Sequence, residues 1–279
     1  MSATKISTPP FRPCWRDRLL LTLRRKNWRG FIRLHRMLKP VDGRRELRTV
    51  TRYGSQFLLT PWDSVDSCVI REGFYESEVL EAVRPALGPG SVLWVVGANF
   101  GLHAITAKFL HPQAEVVAFE PFPAMAARLT ENAALNGVHV DLHAYALGER
   151  LETRPFFANI SGNPGMSTLH PVEGLAYDQH FVVATQTAAA VIERGLAPPP
   201  TAMIMDAEGA ETEILRGFGT HLAAATLRVV VFEAANEFLE TKSPADLQRI
   251  LIGAGFSLRA LVRQEDTAHA LTNFVASRP

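Results

Sequence analysis

VLWVVGANFGLHAITAKFLHPQAEVVAFE, from Val92 to Glu120, is the stretch whose reading decides the fold. Val92-Leu93-Trp94-Val95-Val96 is an unbroken apolar run, the pattern of a strand buried on both faces. It stops at Gly97-Ala98-Asn99-Phe100-Gly101, a turn with glycine at both ends. Leu102, Ile105, Phe109 and Leu110 then recur at helical spacing, and Val116-Val117-Ala118-Phe119 forms a second apolar strand ending in Glu120. Strand, glycine turn, helix, strand, acid is the first βαβ unit of a nucleotide-binding sheet. Glycine lets the chain turn sharply and lets a ligand approach the backbone. A carboxylate after the second strand can accept hydrogen bonds from both ribose hydroxyls of an adenosine. Glu120 follows Gly97 by 23 residues, close to the roughly 20 expected of that acid.

Working outward, more acids end predicted strands. Ala202-Met203-Ile204-Met205 leads to Asp206 and Glu208, and Leu227–Phe232 leads to Glu233. Ligands of open α/β sheets bind at the carboxyl ends of strands, so Glu120, Asp206, Glu208 and Glu233 are expected at one edge. Between these halves, residues 149–184 break the rhythm. Two strands, Arg154–Ile160 and Gln179–Thr185, flank a polar loop containing Asn163, Ser167 and Thr168, and an insertion at the ligand edge is a place for substrate contacts. His170 and His180 lie in the same insertion. Further elements are a hairpin near residues 50–60, a helix over Gly73–Ala86 and a helix opened by Pro121-Phe122-Pro123 and ended by Asn136-Gly137. A strand over Val138–Tyr145 follows, then helices over Thr187–Arg194 and Glu208–Arg216. A helix starting at Ser243-Pro244 precedes two closing strands, Phe256–Leu261 and Ala270–Ala276.

Composition narrows the class. The 279 residues are 47% hydrophobic and 20% charged with a formal net charge of +1, as in an ordinary globular protein with a large core. Cys14 and Cys68 have neither metal-ligand nor redox spacing, which implies free thiols and a reducing compartment. There is no apolar run of spanning length and no secretory leader pattern, so the expected location is cytoplasmic. No metal-ligand cluster is evident. From Arg12 to Arg52 there are fourteen lysines and arginines against Asp17, Asp42 and Glu46. Trp28, Phe31, Ile32, His35 and Leu38 fall on one face of a helix there. Such a basic helix is expected as a cap on the main domain, with peripheral contact to an anionic membrane or an acidic substrate as the alternative. No recognition motif accompanies the charge, so no nucleic acid partner is expected. The domain reading is a basic extension over residues 1–72 and a main domain over 73–279.

From Phe74 to Phe238 the chain resembles the FkbM family of S-adenosylmethionine-dependent methyltransferases. The resemblance rests on Phe74-Tyr75-Glu76, Gly97 to His103, Phe119-Glu120-Pro121, Asn132 with Leu135-Asn136-Gly137, Ala146-Leu147-Gly148, Gly165 to Leu169, and Met205-Asp206-Ala207-Glu208-Gly209-Ala210-Glu211. It implies an α/β fold: a doubly wound, seven-stranded class I methyltransferase sheet, Rossmann-like, with its last strand antiparallel, beside the basic helical N-terminal extension. It implies S-adenosylmethionine at Gly97, Ala98, Asn99, Gly101 and Ala146, with Glu120 on the ribose and Asp206 near the methionine end. The implied reaction is methylation of a hydroxyl on a sugar, polysaccharide or natural-product scaffold. Two positions depart from the family pattern. Val95 stands where the family has an aspartate that helps hold the cofactor's amino end, and Gln186-Thr187 replaces a Leu-Asp.

Methyl transfer to an alcohol needs alignment and a base for the hydroxyl proton. The candidates are Glu208, His170 and His180, with Asn163, Ser167, Thr168 and Glu233 on the acceptor, a small molecule or glycan. The rival readings are a methyltransferase fold that has lost catalysis and serves as a binding partner, which Val95 favours, and transfer to nitrogen.

Overall fold

The structure is a computed structural model that describes residues 46–160, 164–235, 245–261 and 271–278. The chain divides into two units, Met1–Tyr75 and Glu76–Pro279. The expected basic helix around Trp28–Leu38, Asn163, and the Ser243-Pro244 helix start lie outside the described residues.

In the first unit, β1 (Leu47–Val50) and β2 (Gln56–Leu59) pair antiparallel, with Leu47 opposite Leu59. A helix the sequence reading lacked, α1 (Ser64–Glu72), follows. Asp63 caps it by accepting from the Asp66 amide, and Gly73, at φ 81°, closes it with its amide on the Val69 carbonyl. Gly73 therefore ends one helix rather than beginning another, because only a residue tolerant of the left-handed region closes a helix this way.

The second unit opens with α2 (Ser77–Val83). Strand β3 (Val92–Val96) is buried at every residue, as its unbroken apolar run requires. After it come α3 (Leu102–Leu110), β4 (Glu115–Phe119), α4 (Pro123–Asn136) and β5 (Asp141–His143). Pro123 sits in the first turn of α4, and Gly137 at φ 63° closes it. Strand β5 is shorter than the expected Val138–Tyr145. Ala146–Leu147 forms a separate strand, β6, which joins the insertion.

The insertion is a three-stranded sheet. β7 (Glu152–Ala158) and β8 (Gln179–Gln186) form an antiparallel hairpin, and β6 runs parallel to β8. Thr187 then caps α5 (Ala188–Glu193) through the Ala190 amide. β9 (Ala202–Met205), α6 (Glu211–Gly217), β10 (Val229–Ala235), α7 (Ala245–Gly253), β11 (Ser257–Ala260) and β12 (Leu271–Ser277) complete the unit. Helix α6 starts at Glu211, not at the expected Glu208, because Glu208 (φ 51°) and Gly209 (φ 101°) are both left-handed.

The main sheet has seven strands in the order β11-β12-β10-β9-β3-β4-β5, and β12 is antiparallel to both its neighbours. Alternation along β3 divides the core. Trp94 and Val96 join Phe119, Met205, Phe232, Val191, Ile214 and Leu251 on the face covered by α5, α6 and α7. Leu93 and Val95 point to the face of α2, α3 and α4. Trp94 is fully buried, 4.8 Å from Phe119 and 5.6 Å from Phe218 by ring centroids, and its indole donates to the Pro198 carbonyl. Removing that ring would cost about 3–5 kcal/mol. The chain leaves β3 for β4 on one side while β9 arrives on the other. The sheet's switch point, and the crevice it creates, thus lies at Val96.

Candidate functional site

A cleft of about 610 Å³ opens at the carboxyl ends of β3, β4 and β9. Its floor is the turn after β3. Gly97, at φ 75°, could carry no side chain, since a Cβ there would stand 1.8 Å from the Asp206 carbonyl oxygen. The turn satisfies its own amides. Those of Gly97 and Ala98 donate to the Phe119 carbonyl at 3.0 and 3.1 Å, that of Phe100 to the Asn99 side chain at 2.8 Å, and that of Gly101 to the Ala98 carbonyl at 2.9 Å. The Asn99 amide donates to Glu120 Oε2 at 2.7 Å. A pyrophosphate needs free amides pointing at it, and this turn has given its amides away. The floor fits a nucleoside cofactor without phosphates.

Glu120 is buried at 5% exposure, and its second oxygen accepts from the Phe122 amide at 2.8 Å. Each carboxylate oxygen keeps one further lone pair, enough for two ribose hydroxyls. Burial pushes its pKa up to about 7, with the two amides pulling the other way.

Opposite Glu120, the end of β9 carries a crowd of acids. Enclosure and the charges of Glu208, Glu233, Glu76 and Glu211 raise Asp206 well above the usual carboxylate range. Asp206 nonetheless keeps an open side toward the cleft it lines. Glu208 is pushed up to about 8 by burial and then by Glu233, Glu211 and Glu76. Glu208 lines the cleft, and its carboxylate has no hydrogen-bond partner among the described residues. Glu211 works differently. Its two oxygens accept from the amides of Ala207 (2.9 Å) and Gly209 (3.1 Å), pinning the loop that presents Glu208.

Of the residues expected from sequence, Gly97, Asn99, Glu120, Ala146, Ser167, Asp206 and Glu208 line the cleft together. Ala98 and Gly101 shape the turn from behind; a Cβ on Gly101 would meet Ile105 and Leu129 within 2.8 Å. Glu233, within β10, acts on the cleft through its charge on Asp206 and Glu208. Thr168 is buried, donates to the Glu208 carbonyl at 2.7 Å and accepts from the His170 amide at 2.8 Å. The His170 ring faces Glu213 of α6 at 3.2 Å, where Arg154 also pairs, and does not line the cleft. His180 is exposed on β8, opposite Phe157, and also lies off the cleft.

Sequence reading missed the apolar wall. Phe122, Met125, Phe156 and Leu169 line the cleft and form one cluster with Phe181 and Val183. The rings of Phe122, Phe156 and Phe181 lie within 6.1 Å of one another. The insertion thus packs its apolar face on the start of α4, directly over the ligand edge. Alternation in Phe156-Phe157-Ala158 against Phe181-Val182-Val183 was the available signal. Among the described residues, no group of acids, histidines and cysteines is arranged to hold a metal, and no helix is long and apolar enough to cross a membrane.

The sequence pattern of the methyltransferase FkbM domain matches residues 96–258. The hexuronic acid methyltransferase AglP of Haloferax volcanii is 28% identical over 200 residues, covering 71% of this chain and 77% of that protein. Similar solved structures include precorrin-6y C5,15-methyltransferase from Geobacter metallireducens, 14% identical with a TM-score of 0.46 over 72% of this chain and 86% of that one. Another is magnesium protoporphyrin IX methyltransferase from Synechocystis, solved with bound SAM, 15% identical with a TM-score of 0.42 over 73% and 77% of the two chains.

Proposed function

The chain belongs to the FkbM methyltransferase family, and from that premise we propose that it methylates a hydroxyl group of a sugar or glycan. It is an S-adenosylmethionine-dependent methyltransferase. Bound in the cleft, the cofactor supplies a methyl group activated by the sulfonium that carries it.

The chain's own residues divide the remaining work. Glu120 accepts from the ribose hydroxyls with the lone pairs its backbone amides leave over. Gly97 lines the floor and, lacking a side chain, lets the turn close on the Asp206 backbone, and Asp206 would lie toward the methionine end, where a carboxylate would offset positive charge. Phe122, Met125, Phe156 and Leu169 keep water from the transferring group. Glu208 accepts the acceptor hydroxyl's proton as the oxygen–carbon bond forms and the carbon–sulfur bond breaks. Ser167 and Asn163 orient neighbouring hydroxyls.

The observation that carries this reading is that Glu208 lines the cleft while its carboxylate has no hydrogen-bond partner among the described residues. A base poised near neutral pH suits the removal of a hydroxyl proton. The relative AglP acts on a hexuronic acid by its name, which supports sugars as the first acceptors to try. The acids around Asp206 favour one second reading, transfer to an amine, since a protonated amine would be drawn to them.

The test is transfer of labelled methyl from S-adenosylmethionine to methyl glucuronoside, methyl glucoside and methyl glucosaminide, followed by product analysis. A methyl ether on a ring hydroxyl is the expected product. Methylation confined to the amino group of the glucosaminide would replace the hydroxyl reading with the amine one.

A further inference from the structure

Glu208 holds an unusual backbone position. It is a non-glycine residue at φ 51°, followed by Gly209 at φ 101°, between the end of β9 and the first turn of α6. Such a conformation is strained and persists only where its surroundings hold it. Two side chains do so here. Glu211 holds the amides on either side of the residue, and the Thr168 hydroxyl donates to the carbonyl of Glu208 itself at 2.7 Å.

Thr168 is itself fixed from several directions. It exchanges backbone hydrogen bonds with Phe157 of β7, at 2.9 Å each way, and its hydroxyl accepts from the His170 amide at 2.8 Å. It is 3% exposed. A hydroxyl has one proton to donate, and this one goes to Glu208. Its neighbours Ser167 and Leu169 line the cleft, and so does Glu208. The loop that forms the acceptor side is therefore fastened, through one hydroxyl, to the peptide that carries the carboxylate.

We propose that Thr168 is a positioning residue for Glu208, setting the aim of that carboxylate into the cleft and keeping it in step with the acceptor loop. This rests on the reading of Glu208 as the base at the reacting centre. Thr168 never touches the transferred group; it acts through the Glu208 backbone.

The experiment needs no acceptor. S-adenosylmethionine carries a sulfonium cation and S-adenosylhomocysteine does not, so the ratio of their dissociation constants reads the charge aimed at the reacting centre. Both are titrated by calorimetry at acid and alkaline pH against the full chain and its T168V, T168S and E208Q variants. The groups facing Glu208 are Asp206 at the end of β9, Glu233 on β10, Glu211 on α6 and Glu76 beside α2. All remain in every variant.

In the unsubstituted chain, preference for the cation should rise by about fivefold or more from acid to alkaline pH, as a nearby carboxylate ionises. E208Q should abolish that rise. T168V should abolish most of it while S-adenosylhomocysteine affinity stays within about twofold, and T168S, which restores the hydroxyl, should restore it. If E208Q removes the rise and T168V keeps it, the positioning role is overturned and the base reading stands. A rise that survives E208Q belongs to Asp206 or Glu233 and overturns both. If T168V does not fold, T168A is read in the same way. Loss of S-adenosylhomocysteine binding in both would reduce Thr168 to a structural pin and overturn the proposal.

Discussion

The Cα of Gly97 and the carbonyl oxygen of Asp206 are so close that a Cβ on Gly97 would stand 1.8 Å from that oxygen. The two residues directly follow adjacent strands, and the Asp206 amide donates to the Val96 carbonyl at 3.0 Å. Cofactor floor and acidic wall are thus joined at their closest point. Gly97→Ala should cost roughly 3 kcal/mol or more, since it combines backbone collision with a left-handed φ. Thermal unfolding checks this, and a Tm unchanged within a degree would contradict it.

Glu120 is asked to do two things: to hold the Asn99 and Phe122 amides and to receive the ribose. Glu120→Gln keeps the shape but removes the charge and one acceptor oxygen. We expect S-adenosylmethionine affinity to fall about tenfold or more, the effect of losing a charge-assisted hydrogen bond. Calorimetric titration measures it, and unchanged affinity would separate Glu120 from the ribose.

The buried acids give the stability a definite pH dependence. Glu120 and Glu208 are raised to about 7 and about 8, while in an unfolded chain they titrate near 4.3. Between those values the folded protein keeps protons that the unfolded chain has released. Their contribution is therefore complete below about pH 4.3 and is lost as pH rises through about 7 and 8. Without cofactor, Tm should fall from about pH 5 to about pH 8.5. Glu208→Gln should flatten the upper part of the fall, and a Tm that climbs across this range would refute the assignment.

Much of this was legible in the sequence where one signal dominated. The unbroken apolar run Val92–Val96 could only be a doubly buried strand, Gly97 could only be a turn, and Asn136-Gly137 closed α4 where a left-handed residue was expected. Misreadings fell where local signals conflicted. Gly73 looked like a helix start because Phe74, Val79, Leu80 and Val83 follow at helical spacing. The Asp63 cap of α1 introduces a short helix in which Val65, Cys68, Val69 and Ile70 are outnumbered by polar residues. Glu208 read as helical because it precedes a helical pattern, and only its tertiary clamps reveal the left-handed peptide. The commitment of the Thr168 hydroxyl and the turning of His170 toward Glu213 depend on contacts between distant segments, and no spacing rule encodes those.

Val95 is the chain's main departure from the family pattern. It is 3% exposed, paired between Ala118 and Ile204, and off the cleft lining. Val95→Asp would bury a carboxylate with no partner provided for it, at a cost of several kcal/mol. We expect a lower Tm and no gain in S-adenosylmethionine affinity; tighter binding would show that the position faces the cofactor after all.

The measurement closest to the central claim is single-turnover methyl transfer to a sugar hydroxyl by the unsubstituted chain and by Glu208→Gln, with S-adenosylmethionine affinity taken in parallel. The account predicts that transfer from the saturated complex falls about a hundredfold or more, that S-adenosylmethionine affinity falls only by the roughly fivefold that goes with the lost charge, and that the unsubstituted rate rises with pH through a midpoint at or below about pH 8. Equal rates in the two proteins would contradict the account and take the proton from Glu208.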